Sequence, residues 1–216
     1  MHELSLVDYT FEKERSNQYH LSIQSGLNGF SFCIFDNHQQ KHIVFRRYVF
    51  DTNQLIENYL TQLDEIFKND DLLKLHFASA AFLFLTQKST LIPEIYFNKN
   101  ELKSYFEFNQ SIDMLDELHF NYLPSVNAYN VFALHSYIIS AVSNQVKGIR
   151  FYHQALPFIE KVLQLNAGFN KKVLTINLNY NFFDLTVTSG NKLLLYNTFQ
   201  YAGKEDLIYF ILFICK

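Results

Sequence analysis

The sequence predicts an α/β fold in which one unit, three strands, a helix and a returning strand, occurs twice, the second time without its final strand. Three observations carry this. Alternating apolar runs separated by Gly, Asn and Asp turns open the chain at 19–50 and return at 171–203. Each block runs into a segment with apolar residues at helical spacing. A composition of 49% hydrophobic, 17% aromatic and 18% charged residues over 216 positions suffices for a real core and is too apolar for disorder.

In the first block, "YHLSIQSGLNGFSFCIFDNHQQKHIVFRRYVF" divides into three strands. Gly26, Asn28 and Gly29 mark one turn, and Asp36, Asn37 and His38 the next. A helix follows in "DTNQLIENYLTQLDEIFKND", with Asp51 or Thr52 as its cap and Leu55, Ile56, Tyr59, Leu60, Leu63, Ile66 and Phe67 on its apolar face. "LKLHFAS" then reads as a short buried strand that returns parallel to the first. In the middle, "NELKSYFEFN" and "SYIISAVSNQ" read as helices, and "ELHFNYL", "AYNVFALH" and "GIRFYHQ" as strands. "ALPFIEKVLQLN" is a helix with Pro157 early, where a missing N–H costs nothing.

The last block repeats the pattern with "KKVLTINLNYN", "FFDLTVTSGN" and "KLLLYNTFQYAG", followed by the helix "KEDLIYFILFICK" and no further strand. The domains expected are 1–165, carrying an inserted α/β segment, and 166–216, the start of a second. Each half should hold a mixed sheet. Leu207, Ile208, Phe210, Ile211, Leu212 and Ile214 cannot share one narrow stripe, so the last helix is expected to be widely buried. A chain ending there is expected to be shorter than its relatives and to leave a sheet edge open to self-association.

Charge and motifs exclude several functions. A formal charge of −3 gives no basic face for nucleic acid. Arg46-Arg47 and Lys171-Lys172 read as solvated edge residues. The charged N-terminus is no signal peptide, and the apolar run Leu207–Cys215 is far short of the ~20 residues a membrane span needs. A soluble cytoplasmic protein is therefore expected. Cys33 and Cys215 make neither a disulfide framework nor a zinc site, and Cys33 reads as a small core residue. His38 and His42 straddle a turn and lack helical metal-ligand geometry. His119, His135 and His153 fall on separate elements. Asp113, Asp116 and Glu117 read as a solvated helix start or loop. No metal or cofactor is expected, and no nucleophile elbow, Walker loop or dinucleotide fingerprint is present.

A β-β-β-α-β unit occurring twice, with its first hairpin at a cleft, resembles the duplicated ribonuclease-H-like fold of actin, sugar kinases and heat-shock chaperones. The segments "YHLSIQSGLNGFSFCIFD", "LIPEIYF", "FYHQALPFI" and "NTFQYAGKEDLIYFILF" further resemble a bacterial family of unknown function with an actin-like ATPase fold. Actin-like pilus-assembly and secretion proteins are more distant in shape. The resemblance implies two phosphate-binding hairpins, each with an Asp near its tip. In the first, the Asp-x-Gly pattern falls on Gln24, Ser25 and Gly26, so the carboxylate has become an amide. In the second, the pattern runs from Asn177 to Asp184. Asn177 stands for the first Asp, while Asn179, Tyr180 and Asn181 stand for three glycines. Asp184 alone is retained. Neither Gln nor Asn carries the negative charge that holds a hard cation. Gln24, Gly26, Asn177, Asn179 and Asp184 are thus candidate cofactor positions expected not to function. The expectation is a non-enzymatic scaffold with an unknown protein partner; a divergent ATPase or kinase is the alternative.

Overall fold

The computed structural model describes residues 4–50 and 55–215. Its largest sheet contains β1 (Leu4–Val7), β2 (Tyr19–Gly26), β3 (Gly29–Asp36), β4 (Lys41–Val49), β5 (Ser79–Phe84) and, from late in the chain, β9 (Arg150–His153). The strand order is β1-β4-β3-β2-β5-β9. β2, β3 and β4 form an antiparallel meander, whereas β5 lies parallel to β2 and β9 parallel to β5.

Alternation fixes the register of the meander. Phe30, Phe32 and Ile34 of β3 face the core with Leu21 and Ile23 of β2. Gly29 is required at the first tip, because a Cβ there would stand 2.9 Å from the Tyr48 carbonyl oxygen. Asp36 closes the second turn by accepting bonds from the N–H groups of His38 and Gln39. Helix α1 (Ile56–Asn69) buries Tyr59, Leu63, Ile66 and Phe67 against this sheet, each worth about 1.5–3 kcal/mol of apolar burial. Its expected caps, Asp51 and Thr52, lie outside the described residues.

Several expectations need correction here. The strand returning parallel to β2 is "SAAFLF", not "LKLHFAS". The buried Asp70 carboxylate accepts from the N–H of Leu72 and so turns the chain there. Pairing starts only at Ser79, where alternation buries Ala80, Phe82 and Phe84. Cys33 is half-buried on the sheet face opposite Phe32 and Ile34, with its Sγ 3.1 Å from His42 Nδ1. Arg46 is no solvated edge residue, since β1 covers β4 and the Arg46 guanidinium meets buried Asp70 at 2.6 Å.

Between β5 and β9 the chain builds a second, antiparallel sheet from β6 (Ser89–Pro93), β7 (Asp116–Leu123) and β8 (Ala128–His135), in the order β6-β8-β7. Helix α2 (Leu102–Glu107) seals one face of it with Phe106. Helix α3 (Ser136–Gln145) returns the chain to the main core through Ile138 and Val142.

Helix α4 (Ala155–Asn166) packs Ala155, Ile159 and Leu163 against Leu123 of β7 and Leu193 and Tyr196 of the third sheet. That sheet holds β10 (Lys172–Leu178), β11 (Phe182–Ser189) and β12 (Lys192–Gln200) in sequence order. It is antiparallel throughout rather than mixed. Helix α5 (Lys204–Ile214) places Phe210 on Phe183 and Phe199. The wide burial expected for α5 is not found. None of its residues is buried, and Ile208, Tyr209, Leu212 and Phe213 are each more than half exposed.

Candidate functional site

The two hairpin tips face each other across a cleft of about 480 Å³. Gly26, Leu27 and Asn28 form one wall, Asn179, Tyr180, Asn181 and Phe182 the other, and the β5–β6 loop from Leu85 to Lys88 the floor. On the far side of the tips, Gln24, Ser31 and Arg47 join Asn179 and Tyr180 in a groove of about 430 Å³. Gly26, Gln24 and Asn179 are thus brought together. Asn177 and Asp184 line neither hollow; they sit behind the second tip, within the sheet.

Asp184 is fully buried and its carboxylate is crowded with donors. Oδ2 accepts from Asn177 Nδ2 at 3.1 Å and Asn179 Nδ2 at 3.2 Å. Oδ1 accepts from the Tyr196 hydroxyl at 2.9 Å, Thr198 Oγ1 at 3.2 Å and Gln154 Nε2 at 3.3 Å. Register explains part of this, for Asp184 lies directly opposite Asn177 on β10 and Thr198 on β12. Burial raises the Asp184 pKa, and the surrounding donors oppose that rise. A carboxylate has roughly four lone-pair sites, and the five donors occupy them all. No oxygen faces outward to a hard cation. The Asn177 and Asn179 amides turn inward onto the Asp184 carboxylate.

The second tip is also tied down. Asn179 N–H donates to the Phe182 carbonyl, leaving Tyr180 and Asn181 as the loop. Among the described non-glycine residues only Gln40 and Asn127 have positive φ, so this turn needs no left-handed residue. Tyr201 grips the tip from below. Its hydroxyl donates to the Asn179 carbonyl at 2.6 Å, and its N–H donates to that of Asn181 at 3.0 Å. The Asn179 N–H and the Asn179 and Asn181 carbonyls are therefore held by protein.

Among the described residues, Lys88 is the single charged one lining the cleft. Its Nζ lies 2.6 Å from both Asp113 Oδ2 and Asp116 Oδ2, and these two bonds outweigh burial in raising its pKa. Asp116 opens β7 with its side chain largely buried, so it belongs to no solvated helix start or loop. Of the histidines, His38 and His42 are exposed, whereas His153 is buried between the Thr86 carbonyl, to which Nε2 donates at 3.0 Å, and the Ala155 N–H. No group of three or more His, Cys, Asp or Glu residues placed to hold a metal ion occurs among the described residues. None of the described helices is long and apolar enough to cross a membrane.

Sequence reasoning did not find Gln154, Tyr196, Thr198 or Tyr201. Of these, only Thr198 could have been placed from hairpin register.

The meander with its parallel returning strand, the second hairpin sheet and the cleft between the tips define an actin-like ATPase fold. A solved structure from Bacteroides thetaiotaomicron VPI-5482, a protein with that fold and unknown function, superposes with a TM-score of 0.89 at 23% identity, covering 95% of this chain and 79% of that one. A chain of the PilM–PilN type IV pilus biogenesis complex superposes at 0.51 with 14% identity, over 86% of this chain and 62% of that one. The chain belongs to the protein family of unknown function DUF3822, whose model matches residues 8–216. No curated protein sequence matches it significantly.

Proposed function

We propose that this protein is a non-enzymatic member of the actin-like class, a scaffold that binds another protein and does not turn over ATP. The observation that carries the reading is the Asp184 carboxylate, buried and enclosed by Asn177, Asn179, Gln154, Tyr196 and Thr198. In an ATPase of this class an acidic group at this hairpin must remain open to a hydrated cation; here neighbouring amides have taken its place as partners. Lys88 adds to the case, because its charge is already matched by Asp113 and Asp116 when a triphosphate would need it. The pilus-biogenesis neighbour was solved as a complex of two proteins, which fits protein binding as a use of this fold.

Loss of several charge-assisted contacts, at about 1.5–3 kcal/mol each, takes a micromolar site to millimolar or weaker, since about 1.4 kcal/mol is a factor of ten. Titration calorimetry with ATP and Mg²⁺ is expected to give no heat of binding. A dissociation constant in the micromolar range, or release of phosphate from ATP by the purified protein, would instead establish the alternative, a divergent ATPase or kinase using the open cleft.

A further inference from the structure

We propose that Asn121 and Asn130 form a two-position latch, by which the second sheet sits against the largest sheet in either of two discrete seats. The inference goes beyond the scaffold reading and does not depend on what the cleft holds.

β9 pairs with β5 on one side, and on its other side it meets a side chain in place of a strand. Asn121 Nδ2 donates to the Phe151 carbonyl at 3.1 Å, and Asn121 Oδ1 accepts from the His153 N–H at 3.1 Å. A residue of a parallel strand lying opposite Tyr152 would make the same two slanted bonds, one to each neighbour of Tyr152. One amide thus closes the edge of β9 and fastens β7 to it.

Asn130 stands directly opposite Asn121 in the β7–β8 pair, so the two amides share a face. It is fully buried, yet neither its Nδ2 nor its Oδ1 meets a partner. A buried amide without partners is costly, and an arrangement that pairs it relieves that cost. Sliding the second sheet by one strand spacing, about 4.8 Å, carries Asn130 to the place of Asn121 on β9.

The neighbouring pair on this face matches in kind. His119 lies opposite Phe132, with its ring 5.7 Å from that of Phe151, while the Phe132 ring is 5.5 Å from that of His153. The same slide sets Phe132 where His119 was, one ring for another. Ring contacts are weakly directional and let the sheets move, whereas the two bonds of an amide decide where the movement stops. Leu123 and Ala128, the pair on the other side, differ in size. Leu123 packs with Ala155 and Ile159, and Ala128 in its place would leave a void, so the Asn121 seat is the preferred one.

A hinge lies between the two bodies. The Thr86 carbonyl is held by His153 and Gln154. The Lys88 carbonyl instead accepts from the Ala133 N–H of β8, and Lys88 Nζ is held by Asp113 and Asp116. Gln87 is the one residue between these anchorages. Movement of the second sheet therefore carries Lys88 along the floor of the cleft while Thr86 stays, and the seat taken sets the shape of the cleft.

Hydrogen exchange and a double-mutant cycle test the latch. Asn121→Leu alone is expected to fold and to keep the His153 amide protected, because Asn130 takes over its bond. In Asn121→Leu/Asn130→Leu that amide is expected to exchange about tenfold faster than in either single variant, with non-additive losses in the unfolding constant. Spin labels at exposed Lys68 on α1 and at exposed Lys103 or Glu117 on the second sheet and its helix read the displacement, in a Cys33→Ser/Cys215→Ser background. In Asn121→Leu at least one of the two separations is expected to change, by up to about 5 Å; in Asn130→Leu both are expected to keep the wild-type value. Equal exchange at His153 in Asn121→Leu and in the double variant overturns the proposal, as do two unchanged separations in Asn121→Leu. Failure of both Asn121→Leu and Asn121→Ala to fold overturns it too, since the spare amide should hold the joint.

Discussion

Gln154 Nε2 donates to Asp184 Oδ1 at 3.3 Å and to the Thr86 carbonyl oxygen at 2.5 Å, so one buried amide joins the second hairpin sheet to the floor of the cleft. Its Oε1 accepts from the Thr86 N–H, which fixes the amide's orientation. Gln154 immediately precedes α4, whose apolar face also spans from β7 to the third sheet. The floor of the cleft is thus tied to the third sheet by a polar bond, and beside it α4 joins β7 to the same sheet.

Gln154→Glu tests that coupling. A second carboxylate beside buried Asp184 places two like charges in one desolvated site, and repulsion is relieved only when the pair takes up a proton. The variant is expected to lose about 2–4 kcal/mol of unfolding free energy at pH 7 and distinctly less at pH 5. Urea unfolding at the two pH values measures this. An equal loss at both would mean that the cost is steric and the coupling to Asp184 weak.

Asn177→Asp addresses the enclosed carboxylate from the other side. Asn177 Nδ2 now donates to Asp184 Oδ2, and the substitution turns a donor into a second acceptor at 3.1 Å. The melting temperature is expected to fall by several degrees, corresponding to about 1–3 kcal/mol. Mg²⁺ at millimolar concentration is expected not to restore it, because Tyr196, Thr198 and Gln154 still occupy the other oxygen. Recovery of stability with Mg²⁺ would reveal a latent metal site and count against the scaffold reading.

Tyr201→Phe probes the second tip. It removes the hydroxyl that holds the Asn179 carbonyl but keeps the ring on Phe183. A loss of about 0.5–1.5 kcal/mol is expected, with faster amide hydrogen exchange confined to the Asn179–Phe182 turn. If exchange there is unchanged, the tip is fixed by its sheet alone and Tyr201 is incidental.

Most of the fold was legible because its periodicities are clean. "AYNVFALH", "SYIISAVSNQ" and "ALPFIEKVLQLN" form β8, α3 and α4 residue for residue. The failures have physical causes. β1 is four residues long and gains its identity only by pairing with β4. "LKLHFAS" looks like a strand until Asp70 is seen to turn it. α5 is apolar all round, a pattern that signals burial but cannot say whether this chain supplies the cover. At the site, the hairpin positions of Gly26 and Asn179 could be read in sequence, and Asn177 and Thr198 follow once register is known. Gln154 could not be read, since only tertiary packing brings the residue before α4 to Asp184. Neither could the reach of the Tyr196 hydroxyl to Asp184 or of the Tyr201 hydroxyl to the Asn179 carbonyl.

His153 gives the fold a dependence on acid whose sign can be stated. Burial lowers its pKa from 6.5 to about 3, opposed by the bond to the Thr86 carbonyl, so the folded protein holds it neutral. With Nε2 donating to Thr86, Nδ1 must accept from the Ala155 N–H, and protonation there would break that bond. Between pH 6.5 and about 3 the unfolded chain binds a proton that the folded chain does not. The stabilising contribution is therefore complete above pH 6.5 and is lost as pH falls through this window, by up to about 1.4 kcal/mol per pH unit. Asp184 works the other way. Its raised pKa means that the buried charge costs most at neutral pH, and this cost is relieved as pH falls. His153→Gln separates the two. The variant is expected to be less stable than wild type at pH 7, yet to lose less stability between pH 6.5 and 4, so that the two stability curves converge. Denaturant midpoints measured at half-unit pH intervals give both curves; parallel curves would place the acid sensitivity elsewhere than at His153.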